Sequence, residues 1–290
     1  MQTIEQLSET FGIDSEVTFD EAAPDYPMVR IENEHATARI ALHGAHLTDY
    51  CPQGEDPVIF TSSTAIYREG KAIRGGIPVC WPWFGPHPDG MPSHGYARTS
   101  FWTLEKTEST PVGTILAFSL PPRDGSGLAA VLEFLIGQQL QLTLKTVNGG
   151  EVEETYSEAL HTYFAVSDSH QTFIHGLDGA SYIDTVGEET IRQQSGAVNF
   201  PGEVDRIYHS DSDLVVEDTV KQREIAVSKT GSHSTIVWNP GLEKGTAMDD
   251  LHNNEIHRFI CAESGNARAQ SITLAPGTSH TLTLTISTSS

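Results

Sequence analysis

The sequence predicts an all-β protein, a large and mainly antiparallel β sandwich. Three observations carry this. Apolar residues recur at roughly every second position in many short runs, the period of a strand with one buried face. Compact clusters of Pro, Gly, Asp and Asn separate the runs. The alternation of strand, long helix and strand that a parallel βαβ fold needs does not occur.

Taken in order, residues 3–11 (TIEQLSETF) have the spacing of a short amphipathic helix. Residues 36–42 (ATARIAL) form the first alternating run. Residues 71–86 obey a different rule: three aromatics, three glycines and three prolines fall within 16 positions. Neither a regular helix nor a central strand accommodates that, so a rigid loop is expected. At least two of its rings, among Trp81, Trp83 and Phe84, should fill core. Strands are expected at 113–120 (GTILAFSL), 140–147 (LQLTLKTV), 224–228 (EIAVS), 234–238 (STIVW) and 279–286 (SHTLTLTI). Turns are expected at 121–125 (PPRDG), 148–150 (NGG) and 276–278 (PGT). No linker, internal repeat or low-complexity tract divides the chain. Residues 26–290 are therefore expected to form one domain, with 1–25 as an N-terminal extension.

With 290 residues, a chain can bury about three quarters of its unfolded surface and needs no covalent staple. Lys and Arg total 17 against 39 Asp and Glu, a formal charge of −22. Such a surface repels phosphate backbones and anionic lipid, so nucleic-acid and membrane-surface binding are not expected. A small anionic substrate would require scarce cations to be gathered locally. Arg68, Lys71, Arg74 and Arg98 supply such a gathering, four of the 17 basic residues within one stretch. Cys51, Cys80 and Cys261 are odd in number, far apart and without a CxxC, which argues against disulfides or a zinc ribbon. The first residues lack the basic start and apolar run of a signal peptide, and no stretch approaches the ~18 apolar residues of a membrane span. A reduced cytoplasm and a monomer are the expectations.

Other motifs favour plain readings. Gly125-Ser126-Gly127-Leu128-Ala129-Ala130 matches a loose dinucleotide pattern, but it lies between two strand runs and reads as a hairpin loop. His43 and His46 lack the further ligand cluster a metal site needs and read as structural. Taken singly, His161 could be a core histidine, Asp205 and Arg206 a surface ion pair, and Glu263 the end of a strand.

Taken together, and in this order, IRGGIPVCWPWFGP, HGYAR, ALHTYF, VDRIY, WNPG and CAE resemble the hexose-6-phosphate mutarotases. These are the glucose-6-phosphate 1-epimerase group of the galactose-mutarotase-like superfamily. The resemblance runs from about residue 30 to 285. It implies a supersandwich with a sugar site in a groove of one sheet, and neither metal nor organic cofactor. It implies a small hexose phosphate as partner and interconversion of its α and β anomers. That reaction takes the proton from the C1 hydroxyl, gives one to the ring oxygen, and reverses both steps on closure. An imidazole and a carboxylate can each take and give a proton near neutrality. By resemblance, Glu263 is the base and His161 the acid, a pair that serves if the loops bring them to opposite sides of the anomeric carbon. His94 contacts the sugar near the ring oxygen, Asp205 binds hydroxyls, and Arg74 and Arg98 hold the 6-phosphate. Ser93 stands where some members have Gln before His-Gly, a further binding position. Trp238-Asn239-Pro240-Gly241 matches a segment near the site. The alternatives are an aldose 1-epimerase of free sugars, which needs no phosphate arginines, and a non-catalytic sugar-binding sandwich.

Overall fold

The computed structural model describes residues 2–123 and 125–289. The predicted helix is Ile4–Phe11, opened by a capping box in which Thr3 accepts from the Gln6 amide and the Gln6 side chain bonds back to Thr3. Its Leu7 is fully buried. Strand Val17–Ala23 then pairs with Tyr26–Glu32, the first two strands of a four-stranded sheet completed by Ala36–Ala41 and His46–Pro52. Residues before 26 thus contribute both a helix and a strand to the packed body.

Two eight-stranded sheets face each other. One runs Thr172–His175, Leu214–Asp218, Arg223–Thr230, Ser279–Ser289, Leu140–Asn148, Leu128–Ile136, Gly113–Leu120, Thr103–Thr110. The other runs Thr190–Gln193, Ser181–Asp184, Val204–His209, Ser234–Asn239, Phe259–Asn266, Glu158–Leu160, Val79–Cys80, with Tyr163–Ala165 also on Phe259–Asn266. The pairings between these strands are antiparallel, as expected. One apolar core joins the two large sheets to the four-stranded one. It includes Leu142, Leu284 and Phe134 from the first large sheet, Val237, Ile260 and Ala262 from the second, and Ile31 and Ile40. Each such side chain contributes ~1.5–3 kcal/mol on leaving water.

The predicted runs fall on strands, and residues 121–123 and 125–127 lie outside helix and strand between Gly113–Leu120 and a further strand, Leu128–Ile136. Asp124 of that predicted turn lies outside the described residues. The aromatic loop departs from expectation. Trp81 alone is fully buried, donating its indole N–H to Thr146 Oγ1, whereas Trp83 and Phe84 stay half-buried. Consecutive residues on extended backbone point apart, and these two rings line different cavities on the two sides of the loop.

Candidate active site

Strand Phe259–Asn266 lies within its sheet and is buried on both faces. Its Ile260 and Ala262 turn into the sandwich, so Cys261 and Glu263 turn to the opposite face. Two short neighbouring strands leave a gap beside it. Leu160 pairs with Ser264 and Tyr163 with Cys261, so continuing that register sets His161 opposite Glu263. The result is a histidine and a glutamate with Nδ1 and Oε1 3.4 Å apart, both nearly excluded from solvent.

They open on a cavity of about 260 Å³ that also receives Arg74, His94, Arg98 and Asp205. Arg74, His94 and His161 come from loops and Arg98 from the short helix Ala97–Thr99; Glu263 and Asp205 lie within strands, Asp205 in Val204–His209 opposite Trp238 in the register. Arg74 is aimed by the two glycines after it. Gly75 and Gly76 hold positive φ, and a Cβ on Gly76 would run into His46 and the Leu47 carbonyl. The Arg74 guanidinium donates to Asp250 Oδ1 (3.1 Å) and to the Tyr163 hydroxyl (3.0 Å), and these neighbours keep it protonated. Arg98, in the short helix Ala97–Thr99, donates one N–H to the Ser93 carbonyl, while its buried Nε has no protein partner. His94 Nδ1 accepts from the Gly85 amide, which puts the ring proton on Nε2. Burial and the two arginines push its pKa down to about 3, so it is a neutral donor.

Burial and the charge of Asp205 push the Glu263 carboxyl well above its usual range. Burial, His94 and the two arginines hold His161 well below the imidazole range. His161 Nδ1 and Glu263 Oε2 have no hydrogen-bond partner in the protein. An unpaired buried polar atom costs ~1–3 kcal/mol, and the two together constitute a site kept ready for a ligand's hydroxyl groups. Burial likewise raises Asp205. The Cys261 thiol is raised well above its ordinary value by burial, so it is no thiolate nucleophile.

Six of the seven positions read from the sequence therefore share one cavity. Ser93 does not join them: its side chain is exposed, and its carbonyl holds Arg98 instead. The acid and base expected on opposite sides of the anomeric carbon stand side by side. That suits the chemistry, because the C1 hydroxyl and the ring oxygen are bonded to the same carbon. Arg68 and Lys71 are exposed and outside the cavity. Arg206 turns to the other face of its strand and covers the Tyr182 ring at 4.9 Å, so it is no ion-pair partner of Asp205. His43 and His46 are buried with partners of their own, Tyr26 Oη with the Gly70 amide and the Gly75 carbonyl respectively.

Sequence reading missed Tyr163, stacked on the His161 ring at 4.9 Å, and Lys244 and Phe84, which also line the cavity. Tyr163 stands in the ALHTYF segment and Lys244 follows WNPG, so their signal was adjacency to matched motifs. Asp250 carries no such signal, since it meets Arg74 only across 176 positions of chain.

A family model described as aldose 1-epimerase matches residues 27–287. A protein of Escherichia coli K12, provisionally named glucose-6-phosphate 1-epimerase, is 35% identical over 280 residues, covering 92% of this chain and 90% of its own. A Salmonella typhimurium protein with the same provisional name is 32% identical over 255 residues, covering 84% and 85%. A crystal structure from Salmonella typhimurium, described provisionally as a mutarotase, superposes with a TM-score of 0.88 at 28% identity, covering 96% of this chain and 95% of that one.

Proposed function

The chain belongs to the aldose 1-epimerase family, and from that premise we propose that the hexose anomers it interconverts are those of a 6-phosphate. The observation that carries the phosphate is the meeting of Arg74 and Arg98 with the His161–Glu263 pair in one small cavity of a chain with charge −22. Guanidinium groups bind phosphate oxygens through paired N–H donors, and Arg98 keeps N–H groups free for this. The names of the two bacterial relatives agree with a glucose 6-phosphate substrate.

In this reading the pair exchanges protons with the sugar. One member takes the C1 hydroxyl proton as the bond from C1 to the ring oxygen breaks, and the other protonates that oxygen. The open aldehyde rotates about its bond to C2 and recloses on its other face, with the proton transfers reversed. The pair needs one shared proton in total. Glu263 protonated with His161 neutral, or Glu263 ionised with His161 protonated, holds the same number. Because ring closure is ring opening run backwards, either arrangement serves. His94 donates its Nε2–H to a sugar oxygen, Asp205 accepts from hydroxyls, and the Trp238 and Phe84 rings bound the cavity.

The test compares two sugars. Arg98→Ala and Arg74→Lys should weaken catalysis on glucose 6-phosphate by ~1.5–3 kcal/mol, the range for a charged hydrogen bond, with little change on free glucose. Anomer exchange is read by NMR. Equal losses on both sugars would assign the arginines a structural role and favour a free-sugar epimerase. Saturable sugar binding without faster exchange would make the protein a binding module.

A further inference from the structure

Away from the cavity, Asp168, His170 and His257 bring three donor atoms within 4.8 Å of one another. Asp168 and His170 lie just before strand Thr172–His175 of one large sheet, and His257 just before Phe259–Asn266 of the other. We propose that these three side chains bind one divalent transition-metal ion, of the zinc or nickel class, that clips the two sheets together at this end. Two imidazoles and one carboxylate are the donor set that such ions take and that calcium or magnesium does not favour.

The surroundings are those of a built site. Asp168 Oδ1 accepts from the His170 amide (2.9 Å) and lies 3.1 Å from His170 Nδ1, so its carboxylate is already oriented. The rings of His170 and His257 stand 4.4 Å apart between centroids. Ser169, almost wholly buried, sets its Oγ 3.2 Å from His257 Nδ1. With a metal on Nε2, Nδ1 would carry the proton and donate it to Ser169 Oγ, the orienting contact that metal-bound histidines use. The backbone beneath is fixed as well. Ser169 N–H donates to the His257 carbonyl (2.8 Å), and both the amide and hydroxyl of Ser167 donate to the buried Asp218 (2.8 Å each). Metal–ligand distances of ~2.0–2.2 Å require the three donors to draw closer together than 4.8 Å, and the His170 ring is exposed. Water fills the remaining coordination position.

The experiment titrates zinc chloride into tag-free, chelator-treated protein, with calorimetry for stoichiometry and thermal melting for stability. Wild type should bind one ion at these residues and melt higher with zinc, as binding to the folded state alone requires. His170→Ala and His257→Ala should each lose that ion, and Ser169→Ala should weaken it by about tenfold. Melting without metal verifies folding, and His170, being exposed, gives the variant least able to disturb the core. Absence of binding in wild type, or unchanged stoichiometry and affinity in folded His170→Ala, overturns the proposal.

Discussion

The proton inventory of His161 and Glu263 has a measurable signature. Burial, His94 and the two arginines lower His161 while burial and Asp205 raise Glu263, so the shifts run in opposite directions and favour the arrangement with the shared proton on Glu263. Acid removes activity only where His161 gains its proton while Glu263 still holds one, which lies below the ordinary imidazole range. Base removes it where Glu263 ionises beside a neutral His161, above the ordinary carboxylate range. Exchange corrected for the spontaneous rate should therefore fall in acid only below the ordinary histidine value and in base only above the ordinary carboxylate value. A rate that tracks a single ionisation near the ordinary histidine value would refute the shared-proton account. Glu263→Gln and His161→Asn should each lower turnover by about 10²–10⁴, and the double variant by far less than the product, since the two act as a unit. Such residues were legible because each stands in a segment of matched order. Ser93 stands apart because sequence gives the position but not the direction of the side chain, which is exposed while the carbonyl holds Arg98.

Elements with one buried face were mostly legible, although alternating Leu128–Ile136 was passed over and Ser234–Asn239, buried throughout, was read as a strand. Gly113–Leu120 and Leu140–Asn148 alternate visibly, whereas Thr103–Thr110 is mostly exposed and Phe259–Asn266 buried on both faces, so neither shows a period. Strand Arg223–Thr230 conceals a further consequence. Its Lys229 turns inward and donates to the Ser210 and Ser234 carbonyls and to Thr235 Oγ1. Burial pulls its pKa from 10.5 down to about 7. Between those values the unfolded chain binds a proton that the folded chain does not, so stability rises with pH there. Below about 7 both states are protonated and the cost of the buried ammonium is constant. The melting temperature of wild type relative to Lys229→Met should climb from pH 7 to about 9. A difference independent of pH across that window would show that Lys229 keeps its proton inside.

At the scale of the molecule, a surface of charge −22 surrounds a pocket that gathers Arg74, Arg98 and Lys244. Screening weakens the grip of such a partly open site on a dianion, with a Debye length of about 10 Å at 0.1 M salt. Raising potassium chloride tenfold from about 0.05 M should raise KM for the sugar phosphate about two- to fivefold and leave kcat nearly constant. A falling KM would mean that repulsion by the acidic surface dominates substrate capture. The antiparallel character of the sandwich was legible from period and turns, but the order of strands was not, because neighbours such as Leu140–Asn148 and Ser279–Ser289 are distant in sequence. That same remoteness governs when the protein becomes an enzyme. Strand Phe259–Asn266 is the piece that joins Ser234–Asn239 to Glu158–Leu160, and it brings Glu263 with it. Arg74, Arg98 and His161 all precede that strand in the chain. Until it slides between its two neighbours there is a sheet in two parts and no proton pair, so the site assembles only when that strand docks.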